Sequence, residues 1–113
     1  MLVSVTRFDG ARRDLPGIYR TGLSLAARWP ELPGAVGVWL WSLPLAGSSG
    51  SVSVWGSARA LRGFIGLPEH VRVMDRYRTR GTVRAITWTV EWGDRNALWS
   101  RARHWLAQTP TQA

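Results

Sequence analysis

The stretch SVSVWGSARALRGFIGLPEHVRVM, residues 51–74, predicts a strand that leads directly into two consecutive helices. Residues 51–55 alternate small polar with apolar side chains, a pattern typical of a half-buried strand. Ser57 is a preferred N-cap residue, so we expect a short helix from Ser57 to Ile65. Pro68 suits the first turn of the second helix, where a backbone N–H has no intrahelical partner. The rest of the fold must be built around this strand and helix pair.

Further elements precede this stretch. Residues 3–8 alternate and predict a first strand, and a helix is expected to begin near Pro16 and to end before Pro30. Residues 35–43 are rich in valine and tryptophan, which favours a second strand. The glycines and serines of residues 47–50 predict a turn, so the second and third strands are expected to form a hairpin.

A strand and a helix follow the stretch. Gly81 is expected to close the second helix of the pair, and residues 82–92 form the longest strand candidate. Asp94 is the predicted N-cap of a last, amphipathic helix. The order strand, helix, strand, strand, helix pair, strand is that of a ferredoxin-like split βαβ fold, an α+β domain with a four-stranded antiparallel sheet. We expect residues 1–92 to form this domain and residues 93–113 to add its C-terminal helix and tail.

The tryptophans of the second strand predict a homodimer. If the helices cover one face of the sheet, the other face is left bare. Trp39 and Trp41 share a face of the second strand, and large apolar side chains grouped in contact with water need cover. A second copy of the chain is the simplest cover, so the sequence predicts a dimeric α+β barrel.

Composition excludes several classes of site. The 113 residues suit one domain and include no cysteine, which excludes disulfides, thiolate metal sites and a cysteine nucleophile. No signal peptide and no stretch of about 18 apolar residues is visible, so we expect a cytoplasmic protein without a membrane span. The net charge is +8, and all 15 residues counted as lysine or arginine are arginine. These arginines are scattered and accompany no nucleic-acid-binding motif, so specific nucleic-acid binding is not expected.

Several segments and the last strand carry a resemblance to known proteins: Val3–Arg7, Pro33-Gly34, Ser53–Ser57, Ala60–Phe64 and Pro68–Met74. They resemble an uncharacterised family of bacterial monooxygenase-like proteins in the dimeric α+β barrel superfamily. That family is similar to spheroidene monooxygenase and to the antibiotic-biosynthesis monooxygenases. The resemblance covers residues 2–92, and the stretch from Trp55 to Met74 is its most specific part.

The superfamily includes several chemistries, so the resemblance implies a fold and leaves the function open. Some members oxidise aromatic polyketides without a cofactor, some degrade haem, and others use haem as a cofactor. Aldoxime dehydratases carry a similar stretch in which a histidine binds the haem iron. In this sequence the positions of that stretch fall on Trp55, Ser57, Pro68 and His70.

His70 is the residue that the resemblance singles out as a haem ligand. Haem-degrading members differ from this chain, because their pocket tryptophan falls on Phe64 and their ligand histidine on Met74. From the sequence itself, His70 shares one helical face with Val73, Met74 and Tyr77. A neutral imidazole on such an apolar face can bind haem iron. The alternative is a structural histidine, bonded to the backbone or to water near a helix start.

Arg84 is the candidate catalytic residue. It lies in a predicted strand among apolar neighbours, where a guanidinium would pair with a haem propionate or an enolate oxygen. Arg7 lies in a similar position, and for both the alternative is a strand-edge arginine that reaches water. The tryptophans either line a pocket or belong to the core or a dimer interface. The expected cofactor-binding set is His70, with His70 as the iron ligand, and Trp55, Phe64, Met74, Tyr77 and Trp88.

Three functions are compatible with these features. The first is an oxidative enzyme that acts on a flat, apolar metabolite with haem held by His70. The second is a cofactor-independent monooxygenase of aromatic substrates, in which Arg84 would stabilise an enolate. The third is a non-catalytic module for ligand binding or assembly.

Overall fold

The computed structural model of the chain describes residues 1–91 and 94–108. Its regular elements, in chain order, are β1 (Leu2–Gly10), α1 (Leu15–Ala26), β2 (Ala35–Leu43), β3 (Ser48–Trp55), α2 (Ala58–Ile65), α3 (Pro68–Tyr77), β4 (Gly81–Thr89) and α4 (Arg95–Ala107). Short 3-10 helices at Arg12–Asp14, Trp29–Glu31 and Pro44–Ala46 lie in the connections. The predicted end of the last strand at Trp92 lies outside the described residues.

The strands form one antiparallel sheet in the order β2-β3-β1-β4. β1 is central and pairs with β3 on one side and with β4 on the other. β2 pairs with β3 as a hairpin and carries an irregularity between Ala35 and Gly37. This is the ferredoxin-like arrangement that the order of elements predicts, so the fold prediction is confirmed.

The helix starts follow the capping residues seen in the sequence. The Ser57 hydroxyl oxygen accepts a hydrogen bond from the Ala60 N–H at 3.1 Å, and the Asp94 carboxylate accepts one from the Ala97 N–H at 3.0 Å. Pro68 is the first residue of α3. Each of the two caps pairs an N–H that has no partner within the helix, and both predicted caps are confirmed.

The predicted turn at residues 47–50 is wrong in its position. Gly47 alone completes the turn after the 3-10 helix, with a left-handed φ of 68°, and β3 begins at Ser48. A Cβ at position 47 would collide with the carbonyl oxygen of Gly10, so only glycine fits. Gly81 is likewise the first residue of β4, because α3 ends earlier, at Tyr77.

The larger core lies between the sheet and α4, which corrects the expectation that one sheet face is bare. The centre of this face buries valines and a tryptophan of the sheet against two residues of α4: Val3, Val5, Val52, Val54 and Trp88 against Leu98 and Ala102. The opposite face packs against α1, α2 and α3, with a small core of Phe8, Leu15 and Tyr77. The chain therefore covers both faces of its own sheet.

The tryptophans of β2 lie on the α4 face. Trp41 packs against the core of that face, and the rings of Trp39 and Trp99 meet edge to face at 5.0 Å. Trp39 is still 46% exposed, because α4 covers the middle of the sheet better than its β2 edge. The homodimer stays a prediction, and the exposed apolar surface on this face that could form its interface is limited to the β2 edge.

Among the described residues, no helix has the length and apolar character needed to cross a membrane.

Candidate functional site

A cavity of about 350 Å³ lies between the sheet and the helices α1, α2 and α3. Its walls are mainly apolar and come from all four strands and these three helices. Its size and lining are those of a site for a small organic molecule. Residues from the helical side include Ile18, Gly22, Leu25, Leu61, Phe64, His70, Val73, Met74 and Tyr77.

The floor of the cavity carries hydroxyl groups on adjacent strands. Ser53 pairs across the sheet with Ser4, which pairs with Thr87, and Ser51 pairs with Thr6 in the next row. The hydroxyls of Thr6 and Ser51 lie 2.9 Å apart and share one hydrogen bond. Two hydroxyls that share a single bond keep one hydrogen to donate elsewhere. The floor can therefore donate a hydrogen bond to a polar group of a ligand in an otherwise apolar site.

His70 is the ionisable group of the cavity with a shifted pKa. Burial lowers the pKa of His70, and a hydrogen bond with the Ile65 carbonyl oxygen partly opposes this effect. The Nδ1 atom lies 3.2 Å from that oxygen. Because a carbonyl can only accept, Nδ1 carries the hydrogen and the lone pair of the neutral ring is on Nε2. The Nε2 lone pair of His70 is therefore available to accept a proton or to bind a metal.

Aromatic rings form one end of the site. The ring of Phe64 lies 5.1 Å from Trp29, 5.2 Å from Trp55 and 4.8 Å from His70. Trp55 is fully buried, and its indole N–H donates to the Ser53 hydroxyl at 3.0 Å. The His70 imidazole packs against the Phe64 ring, which is itself held between Trp29 and Trp55. The position of the imidazole is therefore fixed by packing as well as by its hydrogen bond to Ile65.

The structure brings together part of the predicted site. His70, Phe64, Met74 and Tyr77 line the cavity. Trp55 does not line it, but it packs directly behind Phe64.

Arg84 and Trp88 are on the opposite face of the sheet, which corrects their expected place in the site. Trp88 belongs to the core beneath α4, where the Arg101 guanidinium lies 5.0 Å from its ring. The Arg84 guanidinium lies 5.6 Å from the Trp105 ring of the same helix. Residues 84, 86 and 88 share one face because side chains alternate along a strand, and that face is turned to α4. Neither side chain can act on a ligand in the cavity.

Arg7 has a structural role in the same region. Its guanidinium donates to the Asp9 carboxylate at 3.0 Å, to the Ser48 hydroxyl at 3.2 Å and to the Leu106 carbonyl at 2.8 Å. The last bond satisfies a carbonyl at the C-terminal end of α4, where helices lack internal donors. Arg7 therefore fastens α4 to the sheet.

The hydroxyls of the cavity floor and Trp29 were not predicted as site residues from the sequence. A signal for the floor existed, because Ser49, Ser51 and Ser53 alternate with valines and a glycine in one strand. Serine at every second position indicates a polar stripe on one face. The helix predicted to end before Pro30 included Trp29, which lies instead in the 3-10 helix after α1 and lines the cavity.

Within residues 1–91 and 94–108, no three histidine, aspartate or glutamate side chains are grouped in a way that could hold a metal ion. The sequence matches no known protein-family model. It also matches no curated protein. The structure, in contrast, resembles many solved structures.

A cofactor-independent oxygenase from Streptomyces nogalater, SnoaB, superposes with a TM-score of 0.63 at 21% identity, over 83% of this chain and 96% of that one. A proposed antibiotic biosynthesis monooxygenase from Deinococcus radiodurans gives a TM-score of 0.70 at 13% identity, over 80% and 93% of the two chains. One from Caulobacter crescentus gives 0.68 at 18% identity, over 80% and 90%. The fold is that of the antibiotic biosynthesis monooxygenases. This fold accommodates different chemistries, so the side chains of the cavity must decide the function of this chain.

Proposed function

We propose that the protein is a cofactor-independent monooxygenase of flat aromatic substrates, with His70 as the general base. The observation that carries the proposal is the state of His70 in an apolar cavity. Burial lowers the pKa of His70 and so favours the neutral ring, the Ile65 carbonyl holds the hydrogen on Nδ1, and Nε2 is left to accept a proton. The likeness to SnoaB, which is described as a cofactor-independent oxygenase, supports the same class of reaction.

The reaction begins with the removal of a proton from an acidic carbon of the substrate. A methylene group beside a phenolic or keto ring system is acidic, because the negative charge spreads onto a ring oxygen. His70 takes this proton, and the Thr6–Ser51 hydroxyl pair donates a hydrogen bond to the oxygen that becomes negative. The apolar walls of the cavity strengthen that hydrogen bond by excluding water.

The carbanion then reacts with dioxygen without a cofactor. One electron passes from the carbanion to dioxygen, and the two radicals combine to form a carbon–oxygen bond. The resulting peroxide anion takes a proton back from His70, and the hydroperoxide loses water to leave a ketone. The methylene carbon and one dioxygen thus give one carbonyl and one water, so no external reductant is required.

Haem fits the cavity in one respect and fails in another. The Ile65 carbonyl is the kind of partner that orients a metal-bound histidine. The propionates of haem need cations, however, and Arg84 lies on the wrong face of the sheet. Among the described residues that line the cavity, the only arginine is Arg7, and its guanidinium is bonded to Asp9 and α4. These residues do not fit haem, and the mechanism above does not use it.

The test is oxygen consumption with dithranol, a flat tricyclic anthrone with an acidic methylene group. We expect one dioxygen consumed for each quinone formed, and His70→Gln should lower kcat/KM by at least about 100-fold. His104→Gln is the matched control, since His104 is exposed on α4 and should leave the rate unchanged. Equal rates in His70→Gln and the native protein would overturn the role of His70. A Soret band in the purified protein would overturn the cofactor-independent reaction.

A further inference from the structure

A second groove lies on the outer side of the cavity wall. It has a volume of about 380 Å³ and runs between α1 and α3. Thr21 and Leu25 of α1 and Val73 of α3 line both the groove and the cavity. The apolar cavity and the groove therefore adjoin at these three residues.

The two helices present matching stripes to the groove. One stripe is Thr21, Ser24 and Leu25 of α1 with Arg28, which lies just after the end of this helix. The other, on α3, is Glu69, Arg72, Val73 and Arg76. Both stripes have the spacing i, i+3, i+4, i+7, which places their members on one side of a helix. The small or aliphatic members form the wall, and the charged members form the rim.

The rim carries an excess of positive charge. Glu69 is already paired with Arg28 across the groove. Arg72 and Arg76 are one turn apart on α3, and neither forms an ion pair with another described residue. Like charges at this spacing repel each other, so an anion placed between them is stabilised by both.

We propose that the substrate carries an anionic group, a carboxylate or a phosphate, on a short flexible arm, and that Arg72 and Arg76 bind it. The inference rests on the proposed function, because the flat body of this substrate occupies the cavity beside His70. An arm is required, since Arg72 and Arg76 line the groove and do not line the cavity. A substrate with its anion attached directly to the rings would not reach both places.

Two fluorescent probes test this directly. Pyrenebutyrate has a flat four-ring body, an arm of three methylene groups and a carboxylate, and pyrenebutanol differs from it by the loss of that charge. Binding is measured by energy transfer from the protein's tryptophans, of which Trp29 lines the cavity. We expect the native protein to bind pyrenebutyrate more tightly than pyrenebutanol. The double variant Arg72→Gln/Arg76→Gln should weaken pyrenebutyrate binding by about fivefold or more and leave pyrenebutanol unchanged.

Matched variants distinguish direct binding of the anion by Arg72 and Arg76 from a general effect of the protein's net charge. Arg59→Gln and Arg62→Gln remove the same number of charges from exposed positions on α2, outside the groove, and should not change the affinity for either probe. Glu69→Gln removes the acid from the rim and should tighten pyrenebutyrate binding. Ala26→Phe, which narrows the cavity, should weaken both probes.

The outcomes distinguish this inference from the proposed function. Equal affinities for the two probes in the native protein and in the double variant would overturn the anion site, whatever the activity on dithranol. Failure to bind either probe would overturn it as well, because the cavity would then not accept a flat apolar body. Selective binding of pyrenebutyrate without oxygen consumption on dithranol would support the anion site while contradicting the monooxygenase.

Discussion

At His70, burial and a hydrogen bond together determine the protonation of the imidazole ring. Burial disfavours the charged imidazolium, and the Ile65 carbonyl decides which nitrogen of the neutral ring carries the hydrogen. The nearest acid along the chain, Glu69, is paired with Arg28, so its charge is largely compensated. A base that stays neutral below the usual histidine range is active over a wider span of pH than an exposed histidine.

This state of His70 predicts a pH dependence of activity and of stability. The folded protein binds its proton less tightly than the unfolded chain does, so His70 contributes stability above the ordinary histidine pKa of about 6.5. That contribution is lost as the pH falls through the lowered pKa of the folded state. We expect the free energy of unfolding, measured by urea denaturation, to fall less on acidification in His70→Gln than in the native protein.

The activity should follow the same titration. The acid limb of kcat/KM should lie at a pH below the ordinary histidine value, because the base must be neutral to accept a proton. An acid limb above that value, or an identical loss of stability on acidification in both proteins, would contradict the assignment.

For single residues, the sequence does not predict which layer of the fold a given face of the sheet packs against. The helical spacing of α3 predicts that His70, Met74 and Tyr77 lie together, and all three line the cavity. Alternation also showed that Arg84 and Trp88 share a face. It could not show which layer that face meets, because a strand of alternating residues fits a cavity or a helix equally well.

At the scale of elements, α4 depends on a polar contact as well as on its apolar residues. Arg7 is buried, with 10% of its side chain exposed, and it joins Asp9 of β1 to the Leu106 carbonyl at the end of α4. An arginine in the middle of a sheet face is unfavourable unless its donors are paired. The sheet supplies one partner of the Arg7 guanidinium, the Asp9 carboxylate, and α4 supplies another, the Leu106 carbonyl. The guanidinium therefore has all of its partners only when α4 is docked on the sheet.

We therefore expect Arg7→Gln to destabilise the protein by about 3 kcal/mol, because the half-buried Asp9 carboxylate loses its nearest cation and the Leu106 carbonyl loses its donor. The measurement is urea denaturation, followed by tryptophan fluorescence, since Trp99 and Trp105 lie on α4. Arg103→Gln is the control, because Arg103 is exposed on the same helix and its loss should cost less than about 0.5 kcal/mol. Equal stability of the two variants would show that α4 does not need this contact.

The order and the caps of the elements could be read from the sequence, and the packing of α4 could not. Ser57, Pro68 and Asp94 mark helix starts through local chemistry, which is encoded within a few residues. The docking of α4 depends on contacts with residues about 100 positions away, such as that between Arg7 and Leu106. An amphipathic helix fits any exposed apolar face, so its own pattern does not name the surface it covers.

At the scale of the whole molecule, α4 leaves one apolar strip uncovered. The strip follows β2 and the turn after it and consists of Trp39, Leu43 and Leu45, each between 46% and 84% exposed. β2 is also an edge strand of the sheet. An apolar edge strand is a surface on which a second copy can pair or pack.

We expect the native protein to sediment as a homodimer at micromolar concentration, with this strip in the interface. Trp39→Ser should shift the equilibrium toward the monomer, because it removes the largest exposed side chain of the strip. Val71→Ser is the control, since Val71 is comparably exposed on α3, on the other side of the sheet. A native protein that sediments as a monomer would contradict the dimer, and an equal effect of both variants would place the interface elsewhere.

The division of each strand between two faces has a consequence for how this protein can change over evolutionary time. On β1, Ser4 and Thr6 belong to the cavity, whereas Val3 and Val5 belong to the core under α4. Substitutions in the two sets share few contacts, so their effects on stability should be nearly additive. A lineage or a directed library could exchange the cavity positions for new substrates while the alternate positions keep the scaffold intact.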